Sequence, residues 1–218
     1  MFCCQCQAIE RQFDQRVAAR QLKRYRKRGP ARTTQMLIDA LRARGIQGAT
    51  LLDIGGGVGA VQHELLRAGA ATATSVEASA AYIEAAREGV DGQGDADHVT
   101  YYHGDFVELA RQIEPADIVT LDRVICCYGD MESLVGLSSA RARKLYGVVY
   151  PRDTWWVRLG VALINHTCRL RRQAFRAFVH PAEAVEGIVH SHGLERRFYR
   201  QTFIWQVVVY GLAETQTK

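Results

Sequence analysis

The chain has 218 residues, 48% of them apolar and 23% charged, which fits one globular domain and excludes a disordered, collagenous or coiled-coil protein. Its formal charge of +5 is unevenly spread, with +7 in residues 1–32, −10 in 33–140 and +8 in 141–200, unlike the uniformly basic surface of a nucleic-acid binder. No apolar run reaches the roughly 18–20 residues that span a bilayer. The longest, 155–164, carries Arg158, and the cysteine-rich start turns charged by Glu10 instead of continuing as a signal peptide. A cytoplasmic chain with six reduced cysteines is expected, leaving peripheral membrane contact open.

Residues 8–28 read as a single basic helix, with Ile9, Phe13 and Val17 four apart and Leu22 and Tyr25 continuing the stripe until Gly29-Pro30 stops it. A second helix follows over 33–44. The pattern then alternates: strand 50–54, glycine loop 55–59, helix to Arg67, strand 72–77, helix 79–88, and a turn at Asp91-Gly92-Gln93-Gly94-Asp95. Strand 99–103, helix 106–113, strand 117–121, helix 131–143 and strand 145–150 complete the alternation. Strands separated by helices imply a parallel sheet covered on both faces. An amphipathic helix over 155–172 comes next, then a helix opened by Pro181 and running to His192. Segments 194–200 and 203–210, joined by almost nothing, predict a terminal antiparallel hairpin. The expected fold is α/β, a Rossmann-like sheet in one domain.

Chemistry concentrates in Leu51-Leu52-Asp53-Ile54-Gly55-Gly56-Gly57-Val58-Gly59. Glycines between a strand and a helix let backbone approach a ligand closely, at the sheet edge where doubly wound folds bind them. Gly55, Gly57 and Ala60 also satisfy a dinucleotide fingerprint. Three further features argue otherwise. Asp53 precedes the first glycine by two residues, Glu77 ends the second strand where a carboxylate can accept both ribose hydroxyls, and Gly104-Asp105-Phe106 offers an acceptor and a ring to a base.

These residues resemble the class I S-adenosylmethionine-dependent methyltransferases. The resemblance covers most of 33–210 and implies a seven-stranded sheet with the last strand inserted antiparallel. It implies that Asp53, Gly55, Gly56, Gly57 and Gly59 hold the methionine part, Glu77 and Ala78 the ribose, and Gly104, Asp105 and Phe106 the adenine, with Asp122 at the edge of the same site. S-adenosylmethionine, converted to S-adenosylhomocysteine, is the implied cofactor. By the same resemblance, 1–32 would form a lid, 33–150 the cofactor-binding core, 151–192 a substrate cap and 193–218 the hairpin. A helix inserted after strand five is similar in architecture to the magnesium-protoporphyrin O-methyltransferases.

Acceptor chemistry is expected in the loop after strand four, Asp122-Arg123-Val124-Ile125-Cys126-Cys127-Tyr128-Gly129-Asp130. Ubiquinone-pathway O-methyltransferases carry Glu-x-x-Glu-His there for a metal ion; Arg123, Cys126 and Cys127 stand in its place, so no metal site is assigned. Tyr128, His180 and Cys127 are the candidate catalytic groups, although an activated methyl donor can react through positioning alone. Arg152, Trp155 and Trp156 are candidate substrate contacts, suited to an aromatic or apolar small molecule with an anionic group. Cys3, Cys4 and Cys6, read with Cys126-Cys127, leave thiolate capture of a metalloid as an alternative. A nucleic-acid methyltransferase is the other; it lacks an appended binding module and the base-flipping loop motif.

Overall fold

Seven strands form one sheet in the computed structural model, which describes residues 4–90 and 96–213. They are β1 (Thr50–Ile54), β2 (Thr72–Glu77), β3 (Val99–His103), β4 (Ala116–Asp122), β5 (Ala142–Pro151), β6 (Leu194–Gln201) and β7 (Trp205–Leu212). Their spatial order is β3-β2-β1-β4-β5-β7-β6. The first five pair in parallel, and β7 lies antiparallel between β5 and β6. The chain therefore reverses its winding direction between β1 and β4, and the carboxyl ends of these strands diverge into a crevice.

Helices cover both faces because the strands are apolar on both. Leu52, Val119, Val148 and Val208 face a core built with α7 (Met131–Ser139) and α9 (Ala182–Ser191). Their neighbours Leu51, Ile118, Val149, Val207 and Val209 face α3 (Arg32–Arg42) and α4 (Ala60–Arg67). This period-two alternation across a doubly covered sheet explains why the strands read as continuous apolar runs. A third, smaller core joins Ala18, Leu22 and Tyr25 of α2 (Gln15–Arg28) to Tyr82 and Ala85 of α5 (Ala80–Val90).

Several boundaries differ from the sequence reading. The single helix expected over 8–28 is two, α1 (Cys4–Gln12) and α2, because the Asp14 carboxylate accepts the Val17 N–H at 2.9 Å and starts a new helix. Helix α7 stops at Ser139, not at 143. The Ser138 and Ser139 hydroxyls turn back onto the carbonyls of Leu134 and Val135, both at 2.6 Å, and β5 begins at Ala142. The helix expected over 106–113 is a short α6 (Phe106–Leu109) followed by a 3-10 turn. Pro181 stands just before α9 with extended ψ, as its cap residue. The inserted helix α8 (Trp155–Leu170) is present but buries only Val157 and Cys168. The predicted turn at 91–95 and Cys3 lie outside the described residues. No helix among the described residues is long and apolar enough to cross a membrane.

Candidate functional site

The crevice holds a cleft of about 330 Å³ bounded by the loop after β1, the ends of β2 and β3, and the loop after β4. Gly55, Gly56, Gly57, Glu77, Ala78, Gly104, Asp105, Phe106 and Asp122, all singled out in the sequence, line it together.

Asp53 stands behind this wall. It pairs in register with Ser75 on β2 and Thr120 on β4 and is fully buried. Its Oδ1 accepts the Thr120 hydroxyl at 2.7 Å, while Oδ2 has no hydrogen-bond partner among the described residues. A Cβ on Gly56 would lie 2.5 Å from that Oδ2, so the carboxylate reaches the cleft only through the backbone gap that this glycine leaves. Burial pushes the Asp53 carboxyl up to about 7; the Thr120 bond opposes the shift, and the charges of Asp122 and Glu77 add to it. An orphaned buried acceptor beside a glycine cradle fits a cationic ligand group.

Glu77 fixes the loop. Its Oε2 accepts the Gly57 N–H and its Oε1 the Ser79 N–H, both at 3.0 Å. Burial raises its pKa, and the backbone donors work against that rise. Asp105 accepts the Val107 N–H at 2.9 Å and the Tyr128 hydroxyl at 2.8 Å, tying the end of β3 to the loop after β4. Gly59 does not line the cleft. It precedes α4 with φ +78°, and a Cβ there would meet the His63 ring at 2.5 Å.

The loop after β4 adds Arg123, Val124, Cys126, Cys127 and Tyr128 to the same lining. Arg123 has φ +62°, rare for a residue with a side chain, and its guanidinium holds Asp122 at 3.1 and 3.2 Å. Thr34 on α3 joins them, donating to Asp122 at 2.5 Å. The Cys126 and Cys127 sulfurs are 3.8 Å apart, and the bond between them draws the Cys127 pKa down while pushing that of Cys126 up.

Other expected residues lie elsewhere. His180 bonds the Tyr128 carbonyl at 2.9 Å and stacks on Phe178 at the back of the loop. Trp156 stacks on Phe203 at 5.7 Å, and the Arg152 guanidinium lies over the Trp156 ring, 5.7 Å from its centre. Neither they nor Trp155 line the cleft. Residues the sequence reading passed over do: Ile9 and Gln21 from α1 and α2, Phe13 between them, Tyr82 on α5 and Trp205 on β7. Phe13 packs on Tyr82 at 5.5 Å and edge-on to Phe175 at 6.0 Å, and its carbonyl accepts the Ser79 hydroxyl at 2.7 Å. The only sequence signal for this role was the aromatic residue just before the Asp14 cap.

Residues 51–143 match a family model described as a methyltransferase domain. Among solved structures, the chain is similar to magnesium protoporphyrin IX methyltransferase from Synechocystis PCC 6803 with S-adenosylhomocysteine bound, at a TM-score of 0.73 and 16% identity over 96% of this chain and 100% of that one. It is also similar to an O-methyltransferase family protein from Burkholderia thailandensis (TM-score 0.69, 15% identity, 93% of this chain and 61% of that). A third is geranyl diphosphate C-methyltransferase from Streptomyces coelicolor A3(2) (TM-score 0.64, 14% identity, 83% and 76%). No curated protein matches by sequence. At these identities the structural neighbours establish the fold, and the domain match covers the glycine loop and the strand-end carboxylates within it. Residues 51–143 thus match a methyltransferase domain, set in a chain with the seven-stranded class I fold, and S-adenosylmethionine is the methyl donor of such domains.

Proposed function

We propose that the protein methylates a small acceptor with an aromatic or apolar body and an anionic group, by aligning acceptor and donor in a closed cleft. S-adenosylmethionine supplies an electrophilic methyl group on a cationic sulfur. In this reading the glycine loop, with Asp53 behind it, holds the methionine part, Glu77 and Ala78 the ribose, and Asp105 and Phe106 the adenine. The observation that carries the reading is the mixed lining of the cleft: the carboxylates of Glu77, Asp105 and Asp122 and open glycine backbone, together with the apolar and aromatic Phe13, Val124, Tyr128 and Trp205. Tyr128 is engaged with Asp105 and Cys127 with Cys126, so in this reading positioning and exclusion of water supply the rate rather than a dedicated base. The chemistry suits the cytoplasm, where both thiols stay reduced.

Calorimetric titration with S-adenosylmethionine tests the cofactor half. Glu77→Ala removes the acceptor that orders both Gly57 and Ser79 and is expected to weaken binding at least about tenfold; unchanged affinity rejects the ribose assignment. A mass-spectrometric methylation assay against aromatic carboxylates, their neutral analogues and methylarsonous acid tests the acceptor half. The thiol pair at 3.8 Å favours a second reading, a thiophilic metalloid acceptor, and methylation confined to the arsenical would establish it.

The lid role falls on α1. Helix α2 is fastened to the body, with the Tyr25 hydroxyl on Glu64 at 3.0 Å and Arg26 on Glu88 at 2.8 Å, and with Leu22 and Tyr25 buried. Deleting residues 1–12 is therefore expected to speed cofactor dissociation at least about tenfold in stopped-flow while leaving the melting temperature nearly unchanged. Deleting through Arg28 also strips the buried side chains of α2, at a cost of about 4–6 kcal/mol. Unaltered dissociation in the shorter deletion removes α1 from the lid.

A further inference from the structure

Helix α8 is apolar toward the body and again toward solvent. Val157 and Cys168 face inward. On the opposite side, Trp155, Leu159, Leu163 and Leu170 fall within an arc of about 80° on a helix of 3.6 residues per turn. They are 73%, 63%, 63% and 71% exposed. The β6–β7 turn extends the patch through Phe203 and Ile204, which Trp156 ties to the helix by stacking on Phe203. Of the nine large apolar side chains that stand exposed among the described residues, six belong to this patch. Isolated exposed hydrophobes need no explanation, but a contiguous patch of this kind marks a docking surface.

Charge decides what docks. Residues 154–182 contain five arginines and no aspartate or glutamate. Among the described residues Arg169, Arg171 and Arg172 make no ion pair, and Asp153, just before α8, is held by Arg158 at 2.5 Å. A second copy meeting this face with its α8 parallel would set arginines against arginines. No described segment of the same chain covers the stripe, whose side chains stand exposed. An outward apolar stripe with tryptophan at one end and a run of arginines at the other has the make-up of an in-plane interfacial helix.

We propose that α8 and the β6–β7 turn dock the protein on an anionic lipid surface, with the leucine stripe entering the headgroup–acyl boundary and Arg169, Arg171 and Arg172 on the headgroups. Apolar area and basic charge each give weak attachment, and together they give reversible binding that depends on lipid charge. The proposal is independent of the acceptor, though a site held at a bilayer suits one drawn from it.

The test is sedimentation of the full chain with vesicles of phosphatidylcholine alone and of phosphatidylcholine mixed with phosphatidylglycerol. Partitioning is expected to be at least about tenfold stronger on the mixed vesicles and to fall with salt. Leu159→Ser/Leu163→Ser and, separately, Arg169→Gln/Arg171→Gln/Arg172→Gln are each expected to lower it at least about tenfold, with melting temperature and cofactor affinity unchanged. Four outcomes overturn the proposal: no partitioning, equal partitioning on both vesicles, binding to a random RNA duplex that ignores the leucine changes, or a solution dimer that the leucine changes dissociate. Because the leucines do not touch the cleft, failure here leaves the methyltransferase reading intact.

Discussion

Asp53→Asn is expected to make the ligand-free protein more stable and the cofactor complex far weaker. In the folded chain burial, opposed by the Thr120 bond and reinforced by the charges of Asp122 and Glu77, pushes the Asp53 carboxyl from its ordinary 3.8 up to about 7. Between those values the folded state holds a proton that the unfolded chain has released. The stability contributed by the neutral carboxyl is therefore complete below the ordinary value and is lost as pH rises through about 7. At about pH 8 the native state carries an ionised, desolvated carboxylate whose Oδ2 has no hydrogen-bond partner among the described residues. Asparagine keeps an acceptor for the Thr120 hydroxyl and removes the charge, gaining about 1–3 kcal/mol once its own unsatisfied amide is counted. The melting temperature at that pH should rise by about 5 °C, and the decline of stability from about pH 5 to 8 should flatten. Cofactor affinity moves the opposite way. Asp53, Glu77 and Asp122 repel one another around the cleft until a cationic ligand arrives, so wild-type affinity should rise from about pH 6 to 8 as Asp53 ionises. In Asp53→Asn that rise disappears and affinity falls about a hundredfold. Thermal unfolding and calorimetry across pH read both signs; loss of stability together with unchanged affinity would overturn the assignment.

The sheet was legible because its physics is local. Leu51-Leu52 and Val207-Val208-Val209 read as buried strands since both faces are covered, and β1, β2 and β3 have the bounds the periodicity predicts. The cleft wall was legible for a related reason. Its parts lie at strand ends, so once strand order is inferred, Gly55–Gly57, Glu77, Asp105 and Asp122 must converge. What escaped was non-local. Nothing near Thr34 in sequence signals that it donates to Asp122, 88 residues on, and nothing around Trp205 places it at the cleft. The break at Phe13 was written in the Asp14 cap but outvoted by an apolar stripe that runs through it. Helix α8 shows a different limit. Periodicity reveals that Trp155, Leu159 and Leu163 share a face, but only the packing of Val157 and Cys168 decides that this face looks outward. The same packing gives the basic flank around 141–200 a meaning beyond its count: part of it borders the exposed stripe.

Two neighbouring glycines should separate folding from binding. At Gly56 an added Cβ meets Asp53 Oδ2 at 2.5 Å, Asp53 Cγ at 3.1 Å and Ser75 Oγ at 3.5 Å. Asp53 is fully buried and fixed by Thr120, so it yields only at a cost, and Gly56→Ala should destabilise by about 1–3 kcal/mol with or without cofactor. At Gly57 a Cβ meets nothing within 4 Å, and the penalty is the φ of +57°, about 1–2 kcal/mol for a residue with a side chain. That methyl group would stand on the cleft wall, on the residue whose N–H bonds Glu77. Gly57→Ala should therefore lower the melting temperature only slightly but lose most of the stabilisation that saturating S-adenosylmethionine gives the wild type, equivalent to at least about a tenfold weaker complex. Gly56→Ala should start lower and lose cofactor affinity as well, because any relief of its clash displaces Asp53. Melting curves of both variants with and without cofactor check this, and a full ligand-induced rise in Gly57→Ala would mean that the loop backbone is not where the cofactor lies.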